Sequence, residues 1–134
     1  MSAPSGFASF EGSKYLNLET FRKNGEGVRT PVWFAADPGA PVNSPAAKLY
    51  IYTADGTGKV KRIRNNARVR VAPCNSRGDL LGEWIEARAE VVTGQEAAHG
   101  MRLLNKKYWP LKQILGFFAR FSPRDRIVIA IKPI

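Results

Sequence analysis

Tyr15-Leu16-Asn17-Leu18-Glu19-Thr20-Phe21 alternates with a period of two, setting Tyr15, Asn17, Glu19 and Phe21 on one face and Leu16, Leu18 and Thr20 on the other. That is the repeat of a β-strand. Asn24-Gly25 and Glu26-Gly27 follow at once and supply residues that accept the positive φ of a tight turn. Residues 28–36 resume as a second strand, so the two form a hairpin. Pro31 interrupts the second strand with no N–H to give, which predicts an edge, a bulge or a bend there.

Downstream, residues 37–47 are rich in Pro, Gly, Asn and Ser and read as a loop. Residues 49–53 make a third strand, Asp55-Gly56-Thr57-Gly58 turns the chain, and 59–65 suit a short helix. A fourth strand spans 69–73, a turn 75–79 and a fifth strand 83–92, with Trp84, Glu86, Arg88 and Glu90 opposite Ile85, Ala87, Ala89 and Val91. Thr93-Gly94-Gln95-Glu96 matches a capping box, predicting a helix over 94–107 with Met101, Leu104 and Tyr108 along one side. Pro110 separates it from an apolar stretch, 111–121, and residues 126–131 form a last strand. Six short strands with a late helical insertion, no repeats and no linker predict one mainly β domain over residues 1–134. Its form is a small barrel with a few helices. Residues 1–13 read as an N-terminal extension.

Composition narrows the chemistry. The 134 residues suffice for one core, and 44% hydrophobic with 24% charged residues is ordinary for a soluble globular protein. No run approaches the ~20 apolar residues of a membrane span, and the first ten residues lack the basic start and apolar stretch of a secretory signal, so a cytoplasmic location is expected. A single cysteine, Cys74, allows no internal disulfide and no thiolate metal cluster. A single histidine, His99, allows no multi-histidine site within one chain, so no metal is expected. Cys74 sits among turn residues without an activating signature. The net charge of +10 calls for anionic partners: nucleic acid, an acidic membrane surface or a phosphorylated small molecule.

The segment Tyr52-Thr53-Ala54-Asp55-Gly56-Thr57-Gly58-Lys59-Val60-Lys61-Arg62 bears on that choice. A strand ends, a Gly-containing turn follows, and a short helix begins with its N–H groups unpaired, an arrangement that attracts anions. Thr57 adds a hydroxyl, and Lys59, Lys61 and Arg62 add full charges. The spacing is not that of a Walker loop. The segment reads either as a phosphate cradle or as a solvated basic helix face.

Taken in order, Tyr15–Phe21 with Arg22-Lys23-Asn24-Gly25, Thr30-Pro31-Val32-Trp33-Phe34, Leu49-Tyr50-Ile51-Tyr52-Thr53, Gly58-Lys59-Val60-Lys61-Arg62-Ile63-Arg64, Arg68-Val69, Gly82-Glu83-Trp84 and Ala87-Arg88-Ala89 closely resemble the pyridoxamine-phosphate-oxidase-like split-barrel proteins. The similarity is greatest to the actinobacterial branch that uses the deazaflavin coenzyme F420. It covers residues 14–92 and continues loosely to the last strand. The resemblance implies a six-stranded split β-barrel of the FMN-binding type, homodimeric, with the cofactor between two subunits. It implies that the backbone of Thr30, Pro31 and Val32 passes along the ring system. It assigns the phosphate to Thr53, Thr57, Gly58 and Lys59, with Lys61 or Arg62 completing the charge. Thr57 stands where the flavin-phosphate oxidases usually carry Ser, and Ala67 where Pro is common.

The resemblance weakens over 109–121, where Trp109, Leu111, Ile114, Leu115, Phe117, Phe118 and Phe121 alternate with basic Lys112 and Arg120. That segment suits a helix packed on the barrel, a peripheral membrane contact or the wall of an apolar substrate pocket. Trp33 and Trp84 are expected to pack on strands, and Glu86 and Glu90 to answer nearby basic residues rather than form a catalytic pair. The resulting expectation is an oxidoreductase that passes a hydride from F420 to a small organic acceptor, with its proton from solvent, Tyr108 or Lys107. The catalytic residues are left unassigned. FMN is the alternative cofactor, and a non-catalytic carrier the alternative role. The basic run Lys59, Lys61, Arg62, Arg64, Arg68 and Arg70 has no interleaved aromatics, so nucleic acid is not expected.

Overall fold

The alternation that marks the strands also builds the core. β1 (Tyr15–Phe21), β2 (Gly27–Ala36), β3 (Leu49–Ala54), β4 (Arg68–Cys74), β5 (Ile85–Val92) and β6 (Arg126–Pro133) form one antiparallel sheet, closed in the order β1-β2-β3-β6-β5-β4. Helix α1 (Gly58–Asn65) connects β3 to β4, and α2 (Gly94–Lys107) follows β5. The computed structural model describes residues 7–54, 56–107 and 126–134. Tyr108 and the apolar stretch 109–121 lie outside them. The expected six-stranded, mainly β barrel is the fold observed, and α2 begins where the sequence places it.

One residue in two points inward. Leu16 and Leu18, Leu49 and Ile51, Val69 and Val71, and Ile129 and Ile131 fill the barrel, each at most 1% exposed. Ala87 and Ala89 of β5 are the small partners. Near the Tyr15 end, Phe7 packs edge-on against Phe10 (5.7 Å between ring centres) and Phe10 against Phe34 (5.6 Å). Phe7 and Phe10 come from the N-terminal extension, and each contributes about 1.5–3 kcal/mol of burial to the core. At the other end α1 inserts Val60 and Ile63, and Arg62 Nε donates to the buried Thr20 Oγ1 at 2.6 Å.

Helix α2 lies on the outer face of β3 and β6, with Leu104 and Met101 against Tyr50, Tyr52 and Val128. Gly100 makes the approach close: a Cβ there would stand 2.8 Å from Tyr50 Cδ1 and 2.9 Å from Val128 Cγ1. The capping box is not what holds the helix start. The Glu96 carboxylate turns to the sheet, accepting bonds from Lys48 Nζ (2.7 Å) and Tyr50 Oη (2.9 Å). A full charge and a buried phenol outbid a solvated backbone N–H. The bonds from Lys48 and Tyr50 hold the Glu96 carboxyl below its usual range, and burial with the Glu96 charge pushes the Tyr50 phenol up.

The outer face of β1 is polar yet buried. Glu19, 4% exposed, pairs across the strands with Arg29 and Arg70, whose Nε atoms donate at 2.9 and 2.6 Å. Both guanidinium groups lie over the Trp84 ring, 4.9 and 5.2 Å from its centre. Trp84 immediately precedes β5, and its indole stacks with these two cations. Glu86 does answer a basic residue, at 2.8 Å from Arg68 Nε.

Burial raises the Glu19 carboxyl, but bonds and charge from Arg29 and Arg70 bring it net below 4.5. This ion-pair stability is present above pH 4.5 and is lost as pH falls through the lower folded value. Glu19→Gln should cost about 1–2 kcal/mol near neutrality, a modest value because both arginines reach solvent. Urea melts at pH 7 and pH 3 should show the gap to wild type closing in acid. A gap of equal size at both pH values would show that the charge on Glu19 is not its source.

Candidate functional site

The ladder between β2 and β3 is short. It runs from Ala36–Leu49 to Phe34–Ile51 and stops, while β2 stays paired with β1 down to Gly27 and β3 with β6 up to Ala54. Beyond Phe34 the facing edges of β2 and β3 part, as Pro31 predicts for a strand that cannot donate along its whole length. A cavity of about 400 Å3 opens beside the gap. Thr30, Pro31, Val32 and Trp33 line it from β2, Tyr52, Thr53 and Ala54 from β3, and Thr57 and Lys59 from the turn into α1. Tyr15 and Ser76 complete the described wall. The volume falls within the range of small-molecule sites.

The wall is apolar along β2 and polar at the α1 end. Thr57 occupies the N-cap of α1 with extended backbone, but its hydroxyl caps nothing. Its Oγ1 is buried and meets no hydrogen-bond partner among the described residues. A buried hydroxyl in that state costs free energy unless a ligand satisfies it. Lys59 stands beside it, half-buried, and none of the ion pairs among the described residues involves it. Burial first, and the Arg62 charge second, lower its pKa. Thr57 and Lys59 thus line the same end of the cavity, at the first turn of α1, an arrangement suited to an anionic group. A flat apolar ring with a phosphate at one end fits these residues.

Six of the nine site residues expected from the sequence meet in this cavity: Thr30, Pro31, Val32, Thr53, Thr57 and Lys59. Gly58, Lys61 and Arg62 do not. They line a separate hollow on another side of α1, and the Arg62 guanidinium is anchored to Thr20. Lys107 also lies elsewhere. Its ammonium donates to Phe34 O (2.7 Å) and Ser13 O (2.9 Å) above the Phe34 ring, and burial lowers its pKa to about 8. Trp33, Tyr52 and Ala54 join the wall as neighbours of expected residues on β2 and β3, and Tyr15 and Ser76 are brought in by strand pairing that no local pattern encodes. Cys74 is buried at the end of β4 and burial raises its pKa, whereas His99 on α2 faces Tyr50 and Asp37, so the two form no pair. Among the described residues no group of three His, Cys, Asp or Glu could hold a metal, and no helix is long and apolar enough to cross a membrane.

No family model matches the sequence, and no curated protein matches it either. Solved structures do. The chain is similar to a Listeria innocua protein described as a pyridoxamine 5′-phosphate oxidase, at 17% identity and a TM-score of 0.63, covering 94% of this chain and 88% of that one. It is similar to a protein named F420 reductase at 22% identity and a TM-score of 0.60, covering 98% and 96%. It is similar to the heme storage protein HutZ of Vibrio cholerae at 11% identity and a TM-score of 0.64, covering 92% and 84%. The fold is therefore the one shared by pyridoxamine-phosphate-oxidase-like proteins and F420 reductases, in agreement with the sequence resemblance.

Proposed function

We propose that this chain binds coenzyme F420 in the cavity beside β2 and moves a hydride between it and a small organic acceptor. The observation that carries this reading is the buried Thr57 hydroxyl, without a partner among the described residues, in a cavity that Lys59 also lines. In this reading Thr53, Thr57 and Lys59 hold the phosphate, and the parted edge of β2 from Thr30 to Val32 lies along the ring. Trp33 and Tyr52 narrow the slot against water. The coenzyme supplies the hydride chemistry when bound. The protein's task is to hold the ring, exclude water and leave one face to the acceptor, whose proton comes from solvent. A second copy of the chain completes the wall: Leu80 and Leu81 stand exposed in the β4–β5 loop that also carries Ser76.

FMN shares the phosphate and the tricyclic ring, so the slot alone favours neither. The net charge of +10 favours the coenzyme with the more anionic tail. Fluorescence titration should show tighter binding of F420 than of FMN, and light scattering of the same samples should show a dimer. Equal or reversed affinities would make this an FMN protein, and a monomer with coenzyme bound would end the shared-site reading. HutZ has this fold and is a storage protein, so turnover needs its own test. Reduced F420 on the protein should be reoxidised when an acceptor is added, and a carrier would leave it reduced.

A further inference from the structure

The hollow on the other side of α1 has a composition of its own. It is about 540 Å3 in volume, and Arg22, Lys23, Lys61 and Arg62 line it together with Phe21, Asn65 and Asn66, with no carboxylate in the described wall. Among the described residues Glu26 approaches Arg22 at 3.7 Å, with both side chains in solvent. Arg62 is the centre of the arrangement. Its Nε is fixed by the neutral Thr20 hydroxyl, so the anchor orients the guanidinium without neutralising it. Burial and the charge of Arg22 both disfavour its protonated form. Gly58 leaves room for that head, since a Cβ there would lie 2.6 Å from Arg62 Nη1. Asn66 spends its carbonyl oxygen on the Arg68 N–H, which leaves its amide N–H2 to donate.

Four cations and two amides, with no acid in the described wall, match a ligand carrying several negative charges. We infer that this hollow is a second binding site, for a small anion with two or more charged groups, either a polyphosphate or a polycarboxylate. It is separate from the cavity beside β2 and does not depend on what that cavity binds. The enclosure has the scale of one small molecule, and Phe21 is the single aromatic in its described wall, so it lacks the successive stacking platforms of a polynucleotide groove.

The test is calorimetry of the coenzyme-free protein with tripolyphosphate, citrate and a single-stranded oligonucleotide as probes. Saturable binding of one tripolyphosphate or citrate per chain is expected, and the stronger of the two names the ligand chemistry. Arg62→Gln should weaken it about ten- to a hundredfold. Because Arg62 also anchors to Thr20, the exposed pair Arg22→Gln and Lys23→Gln gives an independent loss, with melting temperature as the check on folding. Lys106→Gln removes an equal charge from α2 and should leave binding within twofold. Equal binding by wild type and the Arg22/Lys23 double variant, or an oligonucleotide that outcompetes both small anions, would overturn the site. F420 titration of the same variants reports on the other cavity separately.

Discussion

Lys59→Ala should weaken F420 binding by roughly ten- to a hundredfold, the loss of one charge-assisted hydrogen bond of about 1.5–3 kcal/mol. The structure sharpens the reason. Lys59 is the one basic residue among the described wall of the cavity, because Lys61 and Arg62 face the other hollow and cannot substitute for it. Burial already lowers its pKa, so affinity should decline on the alkaline side earlier than an ordinary lysine would dictate. Lys106→Ala, on the exposed last turn of α2, removes the same charge and should change affinity little. Without coenzyme the melting temperature of Lys59→Ala should hold or rise slightly, since a half-buried ammonium with no ion pair among the described residues does not stabilise the fold. If both alanine variants bind equally well, the anionic end of the slot is not at Lys59.

Gly100→Ala should destabilise the protein by about 1–2 kcal/mol, against the direction that helix propensity alone dictates. Alanine in a helix interior gains about 1 kcal/mol over glycine, whereas forcing a methyl into a packed contact costs about 1–3. Here the methyl would meet the Tyr50 ring at 2.8 Å and Val128 at 2.9 Å. Neither can retreat, because Tyr50 is buried and tied to Glu96 and Val128 is paired with Tyr52 across β3 and β6. Urea melts should show a lower midpoint with an unchanged slope, and Gly100→Val should lower it further. A higher midpoint for Gly100→Ala would mean that α2 does not sit against the barrel at this residue. The contact also matters to the slot, since Tyr50 and Tyr52 share β3 and Tyr52 lines the cavity.

Strand identity was legible from alternation where one face meets solvent. In β5, Ala87 and Ala89 are buried between exposed Glu86, Arg88 and Glu90, whereas β1 and β3 are buried on both faces. The order in which strands pair has no such local mark, so Tyr15 and Ser76 joined the cavity unannounced. Phe7 and Phe10 precede the first strand in a stretch without periodicity, yet they complete the core. The division of basic residues around α1 could have been read. Gly58, Lys61, Arg62 and Asn65 are spaced i, i+3, i+4, i+7, which is one stripe of a helix. Lys59 falls off that stripe, beside the inward-facing Val60 and Ile63. The turn of the helix thus sets Lys59 in one cavity and Lys61 and Arg62 in the other. Glu96 shows the opposite limit: its motif was genuine, but a lysine and a tyrosine distant in sequence competed for the carboxylate and won.

The gap between β2 and β3 also bears on how this protein avoids its own kind of failure. A parted ladder exposes two sheet edges, and exposed edges recruit strands from other molecules and seed aggregation. Pro31 sits at the middle of one of them, exposed and without an N–H, so an intruding strand meets a broken row of donors. A flat ring needs only surface there, whereas a strand needs consecutive donors and acceptors. A proline in the stretch of β2 that β3 leaves unpaired therefore guards that edge against strand addition while leaving its surface open.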